Sequence, residues 1–166
     1  MIRRNLSMGV QIPPTPLIVS DVMKIVLCGS LSLCDEILKV KDDLEKRGHE
    51  AVLPESIIKF SLRTSDDVDK FKSEKNNYLK IKPTYIRNHF DKIGDGDAIL
   101  VVNGEKRGIK NYIGGNTFAE IMIAFFLKKK IFLLNPIPTH ERTDVFYEEI
   151  ISIKPIILNG DLDMIE

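Results

Sequence analysis

The sequence predicts an α/β domain: a five-stranded parallel sheet, order 2-1-3-4-5, covered by helices on both faces. Strand-length apolar runs alternate along the chain with stretches whose apolar residues recur at helical spacing, the pattern that parallel strands joined by right-handed helical crossovers require. The run Ala98–Val102 (AILVV) has no polar interruption, as expected of a parallel strand buried on both faces. Turn formers follow the strands at Gly29-Ser30, Pro54, Asn103-Gly104, Asn135-Pro136 and Asn159-Gly160.

Residues 1–22, MIRRNLSMGVQIPPTPLIVSDV, differ from the rest. Two arginines open them, but Pro13, Pro14 and Pro16 break any apolar core that a signal peptide needs, so a tail or extension is expected, with Met23 a natural start for translation. Residues 23–166 then form a single domain. Lys24 to Cys28 is the first strand, and Gly29-Ser30 turns into a helix carrying Leu33, Ile37, Val40 and Leu44 on one face. Gly48, after Arg47, suits the end of that helix, and Glu50 to Leu53 is a short second strand. Residues 61–80 are highly charged with weak periodicity and suggest an exposed or mobile helix, a possible lid. Pro83 is expected to start a helix with Ile86, Phe90 and Ile93 inward, leading to the third strand, Ala98 to Asn103. A helix from Asn116 closes at Lys128–Lys130, where cations complement its carboxyl end. Ile131 to Leu134, Asp144 to Ile151 and Pro155 to Leu158 supply the fourth strand, a last short helix and the fifth strand.

Composition narrows the ligand class. At 166 residues and 43% hydrophobic, the chain can bury one substantial core. Its 24 basic and 24 acidic side chains cancel, so no net field favours a nucleic acid, and a small discrete ligand is expected. No apolar run approaches the ~20 residues of a membrane span. Cys28 and Cys34 fit neither a CxxC pair nor a disulfide framework and read as thiols of a reducing cytoplasm. Three widely separated histidines offer no metal-ligand spacing, so neither metal nor cofactor is expected.

The segment Asn111–Glu120, NYIGGNTFAE, carries the chemistry. It places a carboxylate near the start of a helix opened by a glycine-rich loop, at the carboxyl edge of the sheet where open α/β folds bind ligands. Thr117 and Glu120 also satisfy the spacing of a capping box, in which threonine and glutamate only close the helix end. The Gly29-Ser30-Leu31-Ser32 turn offers backbone N–H groups and two hydroxyls to a sugar or phosphate, or else simple helix capping. Asn103, Asn111, Tyr112, Asn116 and Asn135 lie at the same predicted edge, as ligand donors or as turn formers. His89 reads as packed rather than catalytic, and Arg87 as a solvated or phosphate-binding residue.

KIVLCGSLS at the first strand, DAILVVN at the third, GGNTFAE into the following helix and KKIFLLNPIP at the fourth together resemble the nucleoside 2-deoxyribosyltransferase-like superfamily. The resemblance spans roughly Met23 to Asp161 and is closest to an uncharacterised branch with the motifs NYIGGNT and LLNPIP. It implies a flavodoxin-like three-layer domain that cleaves or transfers the N-glycosidic bond of a nucleoside or nucleoside 5′-monophosphate. Glu120 would be the nucleophile, with Gly29, Ser30, Ser32, Asn103, Asn111, Tyr112, Gly114, Gly115, Asn116 and Asn135 around the substrate. The family motif runs Asp-Ser-Gly-Thr, two residues, Glu; Thr117 and Glu120 match it, whereas Gly114 replaces the aspartate that helps handle the base. Hydrolysis is therefore expected over base exchange. Similar proteins form dimers or higher oligomers, and the apolar run Ile121 to Leu127 fits a homo-oligomer. Departure of the base needs a proton donor; Glu55 and Asp35 are at the correct edge and Asp97 is not. A non-catalytic nucleotide-binding or sensing module on the same fold is the alternative.

Overall fold

The computed structural model describes residues 22–139 and 146–165. The expected tail, apart from Val22, and the first two residues of the helix expected from Asp144 lie outside them.

Strand β1 (Lys24–Gly29) pairs with β2 (Glu50–Val52) on one side and β3 (Ala98–Val102) on the other; β4 (Lys130–Leu133) and β5 (Ile156–Ile157) complete the sheet. All pairings are parallel and the order is β2-β1-β3-β4-β5, as the alternation of elements predicts. The alternating pleat of β1 sorts its side chains between two cores. Ile25 and Leu27 join Ile37, Val40 and Leu44 of α1 (Cys34–Lys46), while Val26 and Cys28 face the other layer. That other layer holds Ile93 of α4 (Lys75–Asp95), Ile121 and Ala124 of α5 (Gly115–Phe126), and Ile150 of α6 (Tyr147–Ser152). The strand alternation therefore aims Cys28 at α4 and α5, which is what builds the site below.

Helix α1 ends as its sequence suggests. Gly48 takes φ +87°, and the amides of Gly48 and His49 return to the carbonyls of Glu45 and Leu44. Short helix α2 (Glu55–Lys59) follows β2, and the charged stretch after it forms α3 (Ser65–Ser73) and the first turns of α4. Thr64 and Asp67 close the start of α3 with a reciprocal capping box. Phe60, Phe71, Tyr78 and Tyr85 pack ring on ring along this excursion, with centroids 4.3–5.9 Å apart.

Two local expectations are corrected. Pro83 does not begin a helix; it lies inside α4. Its missing N–H leaves the Leu79 carbonyl without the usual helical donor, at a place where both residues are exposed to water. The Thr117–Glu120 capping box does not form either, because α5 begins at Gly115 with Gly114 as its cap, and Thr117 is already buried inside the helix. Glu120 is thus the sixth helical residue, in the second turn rather than the first, and is turned toward the sheet.

Candidate active site

A cleft opens over the carboxyl ends of β1 and β3, with a deep part and a basic mouth that share Gly29, Leu31, Tyr78, Lys82 and Asn116. His89 in α4 and Glu120 in α5 line its floor, and Cys28 at the end of β1 lies buried directly against them. Cys28 Sγ is 3.6 Å from His89 Nε2, which is 3.8 Å from Glu120 Oε1. Among the described residues neither His89 Nδ1 nor Glu120 Oε2 has a hydrogen-bond partner.

Burial dictates the charge state of this trio. Removing water disfavours each ionised form, so Glu120 is pushed up to about 8, His89 falls to about 4, and the Cys28 thiol is raised well above its ordinary value. At neutral pH the floor therefore rests as a carboxylic acid, a neutral imidazole and a thiol. The 3.8 Å approach of His89 to Glu120 is accordingly not an ion pair at rest.

Gly29 is required for close approach. A Cβ there would lie 2.9 Å from the Val102 carbonyl oxygen of the neighbouring strand, a backbone atom with no room to yield. Gly114 has a different reason: its φ of −93° is open to any residue, and a Cβ would meet only the end of the Tyr112 ring.

The mouth of the cleft is cationic. Lys72 from α3, Lys82 from α4 and Lys106 from the loop after β3 converge beside Gly114, Gly115, Asn116 and Thr117 at the start of α5. Lys106 Nζ donates to Ser30 Oγ at 2.8 Å and sits 4.5 Å above the Tyr112 ring. None of the three lysines has an ion pair with a carboxylate among the described residues. Burial lowers Lys72 and Lys106 below the ordinary lysine value and neighbouring cations push the same way, while the nearby Asp69 carboxylate pushes against both. An anion entering here meets lysines in excess over the one nearby carboxylate, Asp69, together with the amides of a 12-residue helix. The walls of the deep part are aromatic: Phe71, Tyr78 and Tyr85.

Of the residues singled out in the sequence, Gly29, Ser30, Tyr112, Gly114, Gly115, Asn116 and Glu120 do line this cleft. Asn103 and Asn135 do not. Asn103 Nδ2 donates to the carbonyls of Asn135 and Pro136, its Oδ1 accepts from the Asn135 amide, and Asn135 Nδ2 donates to the Asn103 carbonyl. The pair ties the ends of β3 and β4 together, and with its amides occupied it has little left for a ligand. Asn135 faces a separate depression beside Glu36 and Lys39. Ser32 faces another, on the far side of Lys106, and Asn111 takes φ +53° in the loop, a turn former outside the lining. Glu55 lines the cleft and accepts from Asn88 Nδ2 at 2.6 Å, whereas exposed Asp35 and Arg87 do not line it.

Sequence reading missed the three lysines, the aromatic walls and the roles of Cys28 and His89. The one available signal for His89 was its neighbourhood: it lies between Ile86 and Phe90, next to the apolar face of α4. Among the described residues no helix is long and apolar enough to cross a membrane. No family model, no curated protein and no solved structure matches this chain at a significant level.

Proposed function

We propose that this protein hydrolyses the N-glycosidic bond of a nucleoside 5′-monophosphate, with Glu120 as the nucleophile. The observation that carries the reading is the polarity of one cleft, with a buried carboxyl group at its floor and a lysine cluster at its mouth. The phosphate takes the mouth, against Lys72, Lys82, Lys106 and the amides opening α5. The sugar lies over Gly29 and Glu120, and the base stacks on the aromatic wall of Tyr78 and Tyr85.

In the first step a Glu120 carboxylate oxygen bonds to C1′ as the C1′–N bond breaks, and the departing nitrogen takes the bond pair and a proton from a water in the cleft. In the second, water attacks C1′, gives its proton to the hydroxide left by the first step and releases Glu120 with retained configuration. Only ionised Glu120 performs the first step, so turnover rises with pH toward about 8. Gly114 stands where the resembling family carries an aspartate, so the cleft lacks that carboxylate, which favours water as the acceptor. The resemblance to nucleoside 2-deoxyribosyltransferase-like proteins supports the same chemistry. Phe125, Phe126 and Leu127, exposed at the end of α5, support a homo-oligomer in which a second copy covers them.

One observation favours the second reading, a nucleotide sensor: a resting Glu120 held as a neutral acid donates a hydrogen bond without attacking anything. Incubation with matched nucleosides and 5′-monophosphates, followed by chromatography for free base, separates the two. The hydrolase releases base with a KM at least about tenfold lower for the monophosphate, as one charge-assisted contact implies. Binding without base release favours the sensor, and neither binding nor release refutes both.

A further inference from the structure

The floor of the cleft has a second chemical capacity. Cys28, His89 and Glu120 present sulfur, nitrogen and oxygen donors that all lie within 4.8 Å of one another. In a tetrahedral zinc site, bond lengths near 2.0–2.3 Å put neighbouring donor atoms about 3.3–3.8 Å apart. The Cys28–His89 separation of 3.6 Å and the His89–Glu120 separation of 3.8 Å already match this spacing. The remaining Cys28–Glu120 pair lies within 4.8 Å, and Glu120 Oε2 has no hydrogen-bond partner among the described residues to hold the carboxyl away from a metal. The donors project from a central strand and two packed helices, so the arrangement is held by the core rather than by loops.

We propose that Cys28 Sγ, His89 Nε2 and the Glu120 carboxylate form a binding site for a divalent cation of the zinc class, with an open fourth position facing the cleft. The thiol–imidazole–carboxylate set selects a borderline ion over magnesium or calcium, which prefer oxygen donors throughout. Charge balances as well. The metal displaces one proton from the thiol and one from the carboxylic acid, so a dication meets two new negative charges and no unpaired charge is buried. Access is from the cleft, because His89 and Glu120 both line it. A bound metal would also occupy the proposed nucleophile; that consequence for base release rests on the hydrolase reading, whereas binding does not.

The test is titration of the chelator-stripped protein with Co²⁺ alone, followed by Zn²⁺. The expected result is one cobalt per chain with a sulfur-to-cobalt charge-transfer band, visible bands of tetrahedral intensity, two protons released, and displacement of the spectrum by zinc. Cys28→Ala and His89→Ala should each weaken binding by at least about tenfold, in line with losing one metal ligand, while Cys34→Ala leaves it unchanged. Absence of cobalt binding, binding without the sulfur band in the wild-type protein, or undiminished binding in folded Cys28→Ala overturns the site. Because the wild-type spectrum is diagnostic, the test stands even if a variant fails to fold. A protein with the sulfur band and no base release from any nucleotide keeps the metal site and rejects the hydrolase. Base release that continues at saturating zinc with the band present also upholds the site and refutes Glu120 as nucleophile.

Discussion

Replacing Glu120 by glutamine should make the protein more stable while abolishing its chemistry. The acid is 6% exposed and titrates near 8 in the folded chain, against 4.5 for the free side chain. A carboxyl whose folded value is raised contributes full stability below about 4.5 and loses it as pH climbs through 8, because the unfolded chain sheds its proton first. At about 1.4 kcal/mol per pH unit, the wild-type protein has lost on the order of 3 kcal/mol by pH 7 and about 5 kcal/mol above pH 8. His89 adds its own pH dependence between about 4 and 6.5 in both proteins, so it cancels from their difference, and the Cys28 thiol is raised well above its usual value. Glutamine keeps the shape without the charge. Urea denaturation followed by circular dichroism at pH 5, 6, 7 and 8 should therefore show Glu120→Gln gaining on wild type as pH rises, with a pH-dependent gain of under about 1 kcal/mol at pH 5. Base release should vanish in the variant, since an amide cannot stabilise the developing positive charge at C1′. Parallel stability profiles would refute the burial argument, and retained turnover would refute the mechanism.

The acid side has its own signature: His89, held near 4, contributes stability above 6.5 that is lost as pH falls through 4, and His89→Gln should remove up to about 3 kcal/mol of that slope when the denaturation series is extended down to pH 4. Lys82→Ala and Lys106→Ala should each raise KM for a 5′-monophosphate roughly tenfold or more and leave the unphosphorylated nucleoside unaffected; equal effects on both substrates would remove the phosphate from the mouth. Gly114→Asp should fold, since φ of −93° suits aspartate and only the Tyr112 ring must shift, and with a second base present it should give more exchanged nucleoside; unchanged product ratios would contradict the role given to this position. Phe126→Lys should yield monomers in sedimentation if α5 seats a second copy, and an unaltered assembly would place the interface elsewhere.

Local pattern carried the architecture because each feature it uses is a property of adjacent residues. AILVV has no polar atom to offer water, and in the structure all five residues of β3 are buried. Leu33, Ile37, Val40 and Leu44 share one helical face and enter one core, and the strand order follows from alternating elements with right-handed crossovers. Glu120 was legible as a carboxylate at the ligand edge, though the capping pattern around it pointed to the wrong turn. A capping box needs its threonine outside the helix, and Gly114 starts α5 too early for that. Pro83 misled for a similar reason: packing of the flanking aromatics and Ile93 sustains α4 through a residue that locally argues for a boundary.

The site depends on pairings that no window of sequence contains. Cys28 and His89 are 61 positions apart, and they meet because the pleat of β1 turns Cys28 to the face on which α4 and α5 pack. The lysines of the mouth look like ordinary solvated charge on a polar segment until α3 and α4 fold back over β1. Asn103 and Asn135 show the converse, polar residues at the right edge whose hydrogen bonds are consumed by each other. Periodicity encodes which face of an element is buried. Which side chains share a cleft, and with what charge, is set by long-range packing and by the water that packing excludes.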